Sequence, residues 1–382
     1  MNITFVSDTP NPGMIGGGEY AIYRYAEALA DRGHKVRVYG QFRRPFMQGL
    51  DLTPGLSILL RGGIERRFKG AGKLNQCWDV LHTRMVVVPQ LKKTDPMDCI
   101  IGYQRRSSIK AMKLGGALNV PVAHIAFEPP TSMEEALGEQ YKRVMIGRLA
   151  REWDGVRDAY RASHGLFPLS RVVGDAVTAW SGMRCSEPVY AGVEAPDQAM
   201  EIKPEDRHIL YIGRLDATKN VGDLIDAVAR MASPPPLVIV GRGYDEEELK
   251  ARAAAAGIAC RFVGLVSDKE KWTLLRQSIF LVFPTSLEGF GMPPGEALSC
   301  GKPAVCSDIP ILREVYGDAV EYYPLHDVPA LSHTMEKLVR DAGYRRARGM
   351  AGREYVLSRY TWRHCAERIE TGIRNLLERA GA

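Results

Sequence analysis

No stretch of this 382-residue chain comes near the roughly 18 apolar residues that a membrane-spanning helix needs; the best run, residues 279–283, has the length of a strand. Cysteine is scarce and unpatterned. The seven residues are odd in number and form no C-x-x-C pair, which argues against a structural zinc and for a reducing compartment. No basic, apolar leader opens the sequence, which enters a strand pattern at Asn2-Ile3-Thr4-Phe5-Val6; no export signal is expected, and a cytoplasmic location is. Internal repeats and low-complexity tracts are also missing. What remains is the composition of a soluble globular protein, 45% hydrophobic and 25% charged, on a chain long enough for two domains with separate cores.

The net charge of +6 is unevenly placed. Residues 1–190 carry 26 basic and 18 acidic residues, an excess of +8, whereas residues 191–382 carry 25 and 27, a balance of −2. A solvated surface accounts for this as readily as a first half that faces something anionic, such as a lipid-phosphate acceptor or an anionic membrane touched from the side. Nucleic acid is not expected as a partner, because the basic residues are not interleaved with stacking aromatics.

Along the chain, strand, glycine loop, helix and strand open the first half: residues 3–6, Gly16-Gly17-Gly18, residues 20–29, then residues 36–39 after Gly33. That is a βαβ unit and implies a parallel sheet. Residues 41–75, rich in Gly and Arg, read as an irregular surface excursion. Strands resume at residues 99–101, 120–126 and 165–167, with a long polar helix expected over 133–162. A boundary falls near 195–205, where Pro196 and Pro204 interrupt the pattern. A second alternating series follows: strands at 209–212, 237–240, 260–263, 280–283 and 304–306, separated by helices at 220–231, 244–256, 268–277 and 294–299, with an amphipathic helix in the tail. The expected fold is α/β, with two Rossmann-like doubly wound domains facing across a cleft, residues 1–195 and 196–359. Ligands bind such folds outside the carboxyl ends of the strands.

Two segments at such ends read as one site. Gly213-Arg214-Leu215-Asp216-Ala217-Thr218-Lys219-Asn220 supplies two cations where a helix begins, and cations with free backbone amides suit a diphosphate. Charge that builds on a departing diphosphate is stabilised more than the ground state by preplaced Arg214 and Lys219. The plainer alternative is a surface Arg and Lys paired with Asp216 and Asp223. The second segment, Glu288-Gly289-Phe290-Gly291-Met292-Pro293-Pro294-Gly295-Glu296, holds two carboxylates eight positions apart. Pro293-Pro294 suits the first turn of a helix, the glycines let backbone approach a ligand, and carboxylates suit sugar and ribose diols. Its plainer alternative is a helix start decorated with favourable acids. Together the segments describe a nucleotide-sugar site.

Residues 16–21 formally match the dinucleotide fingerprint G-x-G-x-x-A. The run lies too far from its strand for a tight turn, and no Asp or Glu occurs between Asp31 and Asp51 to hold a ribose, so NAD is rejected. A glycine loop closing on phosphate or sugar across the cleft fits better, with Gly17 and Gly18 toward the donor. The chain has no D-x-D pair of the kind that holds a metal on a diphosphate; no metal and no cofactor are expected, with Arg214 and Lys219 in the metal's place.

These motifs resemble the retaining glycosyltransferases of family 4, with the two-domain GT-B architecture. The resemblance covers nearly the whole chain and is most specific over residues 211–310, where G-R-L-x-x-x-K-N and E-x7-E stand intact, followed by Gly301-Lys302-Pro303 and Ser307-Asp308. Gly241-Arg242-Gly243, residues 262–267 and the hinge-like Ala191-Gly192-Val193-Glu194 are similar to further family segments. The resemblance implies that Gly213, Arg214 and Lys219 meet the diphosphate, Glu288 the donor sugar (and the catalytic step, with Arg214 and Lys219) and Glu296 the ribose. Gly241 and Leu265 would lie along the nucleotide, and the amides of Phe290, Gly291 and Met292 would face sugar and phosphates. It also implies a tail helix over 360–382 packed back on the first domain. Many members carry a His in a segment like H-E-P-P; here it reads Phe127-Glu128-Pro129-Pro130. His124 lies three residues earlier and on a strand faces the other way, which leaves Glu128 the better acceptor-side candidate. The implied reaction moves a hexose-type sugar from a nucleoside diphosphate to a hydroxyl of a carbohydrate or lipid-linked acceptor, in cell-envelope polysaccharide or glycolipid assembly. A non-catalytic sugar-nucleotide-binding subunit and a sugar-nucleotide epimerase remain the alternatives.

Overall fold

The computed structural model describes residues 1–7, 17–40, 56–60, 96–103, 105–138, 148–194 and 208–381. They form two parallel six-stranded sheets. The first holds β1 (Asn2–Ser7), β2 (Lys35–Gly40), β3 (Leu56–Leu60), β4 (Cys99–Tyr103), β5 (Val122–Ala126) and β6 (Gly165–Pro168) in the order β3-β2-β1-β4-β5-β6. Its helices are α1 (Gly17–Asp31), α2 (Arg105–Leu118), α3 (Pro130–Leu137), α4 (Arg148–Arg161) and α5 (Arg171–Ser181). The second sheet holds β7 (His208–Ile212), β8 (Leu237–Val240), β9 (Cys260–Gly264), β10 (Ser278–Phe283), β11 (Ala304–Ser307) and β12 (Glu321–Tyr323) in the order β12-β11-β10-β7-β8-β9. Around it lie α6 (Val221–Ala229), α7 (Glu246–Ala255), α8 (Asp268–Gln277), α9 (Met292–Ser299), α10 (Pro310–Tyr316), α11 (Val328–Arg340) and α12 (Ala342–Leu357).

Read from β9, the second sheet repeats the order of the first. Each therefore reverses direction once, between β1 and β4 and between β7 and β10, and a crevice opens at that point beyond the strand ends. The inner strands β4, β5 and β10 are buried at every residue, as a helix-covered parallel sheet requires, whereas β9 and β12 at the edges of the second sheet are only partly buried.

Two expectations change. Residues 41–75 are not irregular throughout, because Leu56–Leu60 pairs in parallel with β2 as the edge strand β3. The stretch 133–162 is not one helix: α3 stops at Gly138, which adopts φ 51°, and α4 begins at Arg148. The expected boundary near 195–205 and the glycine loop up to Gly16 lie outside the described residues.

Helix α13 (Trp362–Gly381) comes last in the chain yet packs on α1 and β6 of the first sheet. The crossing points between the sheets are firmly made. Val193 pairs with Thr361 in a parallel bridge and donates to the Tyr360 carbonyl at 2.6 Å. Glu314 of α10 accepts from the Arg171 and Val172 amides at 2.7 and 2.9 Å, so a carboxylate of one half caps helix α5 of the other. Among the described residues no helix is long and apolar enough to cross a membrane.

Candidate active site

The segments after β7 and β10 meet at the reversal point of the second sheet. Beyond β7, Asp216 accepts from the Thr218 amide at 3.0 Å and starts a single 3-10 turn over Ala217–Lys219. Asn220 then takes a left-handed conformation, φ 46°, and its side-chain amide donates to the Pro284 carbonyl at 2.9 Å. Further bonds lace the loops together, from the Ser286 amide (2.8 Å) and the Thr285 hydroxyl (3.1 Å) to the Thr218 carbonyl. The result is a lysine turned inward. Lys219 is 7% exposed, and its Nζ lies 2.6 Å from Glu288 Oε1, 3.0 Å from the Leu287 carbonyl and 3.3 Å from Thr285 Oγ1. Its partner is thus Glu288 and not Asp223, which bonds His326 at 2.9 Å. Arg214 differs. Its side chain is 65% exposed and pairs with Asp216 at 3.1 Å.

Gly213 and Gly241 follow β7 and β8 side by side; the Gly213 amide donates to the Val240 carbonyl at 3.0 Å, and the Gly241 amide to the Gly264 carbonyl of β9 at 2.8 Å. Leu265 follows β9 and is 44% exposed. Beyond β10, Gly291 is the N-cap of α9 with φ 81°, a conformation that side chains resist. Tyr316 donates to the Gly291 carbonyl and accepts from the Gly295 amide, which pins the start of the helix. The Phe290 ring is buried among Tyr190, Tyr316 and Tyr360, leaving only its backbone to face a ligand, and Met292 is 9% exposed. Glu296, in the first turns of α9, is 5% exposed and bonds Lys271 Nζ of α8 at 2.6 Å. Sequence reasoning missed Lys271, whose pairing joins residues 25 positions apart and leaves no local signal.

Among the described residues of the first half, Glu128 reaches this cluster. A Cβ on Gly289 would stand 2.6 Å from Glu128 Oε1, so Glu128 lies directly against the E-x7-E loop. Burial, helped by the Glu288 carboxylate, holds its carboxyl above the ordinary range, while its own amide, Lys219 and Arg214 pull it down. The neighbouring Phe127 ring turns away to pack edge-on against Tyr103 at 5.0 Å. His124 is not at the cleft. It is fully buried in β5, stacked on Tyr160 at 5.4 Å, and burial pushes its pKa down to about 3, a neutral core imidazole with no surface for an acceptor. Gly17 and Gly18 form the first turn of α1.

The arrangement can neutralise an anion with Lys219 and Arg214 and bind hydroxyls with three carboxylates. Known proteins point the same way. Residues 194–355 match the family described as Glycosyl transferases group 1. The chain is 32% identical over 169 residues to the O-antigen chain mannosyltransferase B of Escherichia coli, covering 41% of this chain and 43% of that relative, less than half its length. It is 31% identical over 374 residues to the phosphatidyl-myo-inositol mannosyltransferase of Mycolicibacterium smegmatis, covering 91% of this chain and 87% of the relative. The Anabaena protein HepE, solved in complex with UDP-glucose, superposes with a TM-score of 0.73 at 16% identity, covering 98% of this chain and 100% of that one, a likeness of fold. A relative above 30% identity along nearly the full length, joined to two facing Rossmann-like sheets, places this chain among the group 1 glycosyl transferases, with the GT-B architecture.

Proposed function

We propose that the chain is a metal-independent, retaining transferase that moves a hexose, mannose or glucose, from a nucleoside diphosphate to an acceptor hydroxyl in polysaccharide or glycolipid assembly. The observation that carries this reading is the 2.6 Å pairing of Lys219 with Glu288 at the strand-end crevice, with Glu128 facing both from the other sheet. Lys219 and Arg214 hold the diphosphate and stabilise the charge it gains as the sugar leaves. Glu288 binds sugar hydroxyls, Glu296 the ribose diol, the amides of residues 290–292 the sugar and phosphates, and the backbone at Leu265 the base, with Gly213 and Gly241 beneath. Gly17 and Gly18 close from the first sheet, and Glu128 receives the acceptor.

Retention follows from front-face attack through an oxocarbenium-like transition state, in which the leaving phosphate takes the acceptor's proton. A carboxylate already engaged by an ammonium at 2.6 Å is a poor nucleophile, which favours this route over double displacement through Glu288. The names of the mannosyltransferase relatives and the UDP-glucose complex of HepE support the donor class. The acceptor is read as carbohydrate or lipid-linked, met through peripheral contact with an anionic membrane.

The test offers UDP-glucose and GDP-mannose with a lipid-linked acceptor in excess EDTA. Transfer with release of the nucleoside diphosphate is expected. Loss rescued by Mn²⁺ would contradict metal independence, isomerised sugar would mark an epimerase, and binding without turnover would mark a non-catalytic subunit.

A further inference from the structure

The Glu296 carboxylate stands in unfavourable company. It is 5% exposed, and the charged groups facing it include Asp268 of α8 and Glu194 of the crossing segment, itself paired with Arg24 of α1 at 2.6 Å. Cys300 lies one turn on in the chain, with Arg276 and Arg353 acting on it from beyond. Lys271 answers Glu296 and Asp268 directly. Lys271 Nζ lies 2.6 Å from Glu296 Oε1 and 3.6 Å from Asp268, and its ammonium sits 4.7 Å from the centre of the Trp272 ring. The lysine is held where it is by a capped helix start: Ser267 and Glu270 close a capping box, and the Lys271 amide bonds the Ser267 carbonyl at 2.8 Å. Among the described residues the second oxygen of Glu296 takes no hydrogen bond.

We propose that Lys271 is the positioning residue of the ribose site, fixing the Glu296 carboxylate by one oxygen so that the other is presented to a ribose hydroxyl. This rests on the reading of Glu296 as the ribose ligand. Lys271 also sets the charge state of that ligand. Burial holds the Glu296 carboxyl above the ordinary range, Lys271 pulls it back, and Asp268 and Glu194 push it further up. Burial likewise works against the Lys271 ammonium, but Glu296, Asp268 and Glu194 outweigh it and keep the lysine charged. Take the ammonium away and only burial and like charges remain. Glu296 then protonates at a higher pH and loses an acceptor that needs to be ionised.

Calorimetry with GDP and with UDP alone, between about pH 6 and pH 8.5, tests this on the full chain as wild type, Lys271→Met, Lys271→Arg and Glu296→Gln. The Met variant should bind the nucleotide roughly tenfold more weakly at the acid end, with the deficit closing as pH rises, and Arg should restore most of it. Glu296→Gln should be weak at every pH, and adding Lys271→Met to it should cost little more. A Met variant that matches wild type throughout, while Glu296→Gln is weakened, overturns the role of Lys271 and leaves the ribose reading standing. An equal loss at every pH, with a lowered melting temperature and no rescue by Arg, makes the pair a brace between α8 and α9 and overturns it too. A Glu296→Gln variant of unchanged affinity removes the ribose reading itself.

Discussion

The two sides of the cleft are built on the same strand order and equipped differently. The second sheet brings Lys219, Arg214, Glu288, Glu296 and Lys271 to its strand ends, most of them paired and little exposed. Among the described residues the first sheet brings Glu128 and the glycine start of α1. Yet the basic excess of the sequence, +8, belongs to the first half, and the half that carries the cations at the site is −2 overall. Bulk charge therefore says little about where the cations of the candidate site gather. Strand ends at the reversal point say more, because loops from adjacent strands converge there and backbone amides are left free.

The largest expected effect tests the richer side. Lys219→Ala should lower turnover by roughly 10²- to 10³-fold, the range for removing a preorganised charge stabiliser. Arg214→Ala should cost less, since that guanidinium is 65% exposed and already answers Asp216. Loss of Lys219 also leaves Glu288 and Glu128 facing one another with a weaker counter-charge. Steady-state turnover with saturating donor measures both variants. Should Glu128→Gln prove more damaging than Lys219→Ala, the comparison would be inverted, with the chemistry on the first sheet.

How the sides read from sequence follows from their construction. The segments around Lys219 and Glu288 are contiguous motifs next to strong apolar strands, so their positions at strand ends follow from local pattern, and the inward turn of Lys219 is set by Asp216 and Asn220 within the same stretch. Other contacts are long-range. Nothing near Lys271 announces Glu296, nothing near Glu314 announces the amides of Arg171 and Val172, and the ends of both pairs meet only when the chain folds. Strand β3 hid because Leu56–Leu60 is five residues long, stands beside glycines and shows its parallel partner only in three dimensions. The break after Leu137 rests on Gly138, a single residue in a polar stretch whose helical composition continues on both sides. That His124 does not stand in for the position of Phe127 could be anticipated in part, since a strand sends residues at odd spacing, here 124 and 127, to opposite faces. That His124 is walled in by Tyr160 and Gly102 could not.

A middle-sized effect separates donor from acceptor. Glu288→Gln should leave affinity for the free nucleoside diphosphate unchanged and weaken binding of the intact donor by roughly ten- to a hundred-fold, the cost of a charge-assisted hydrogen bond. Glu128→Gln should leave both donor constants near wild type and raise the acceptor KM by about tenfold on the same arithmetic. Calorimetry with nucleotide and donor, beside acceptor-dependent kinetics, distinguishes them. If Glu128→Gln weakens donor binding as Glu288→Gln does, the first sheet holds donor as well, and the division between the two sides dissolves.

The smallest effect concerns how the first sheet keeps the helix that ends the chain. Glu370 of α13 accepts from Arg374 at 2.8 Å and from Arg32 at 2.8 Å, and lies 3.3 Å from His34. Arg374 above all, then Arg32 and His34, pull its carboxyl down to about 2 against the opposing effect of burial. A carboxyl lowered in the folded state contributes stability above its ordinary value of 4.5, and that contribution fades as pH falls toward 2. The arginines are 28% and 59% exposed, so solvent screens much of the attraction, and the gain is on the order of 1 kcal/mol or less. Glu370→Gln should therefore melt slightly below wild type at pH 7, about the pH of most assays, and the two curves should merge as the pH is lowered through that window. A difference that persists unchanged at the acid end would mean that Glu370 holds α13 by shape and neutral hydrogen bonding, and that the grip of the first sheet on the tail owes nothing to charge.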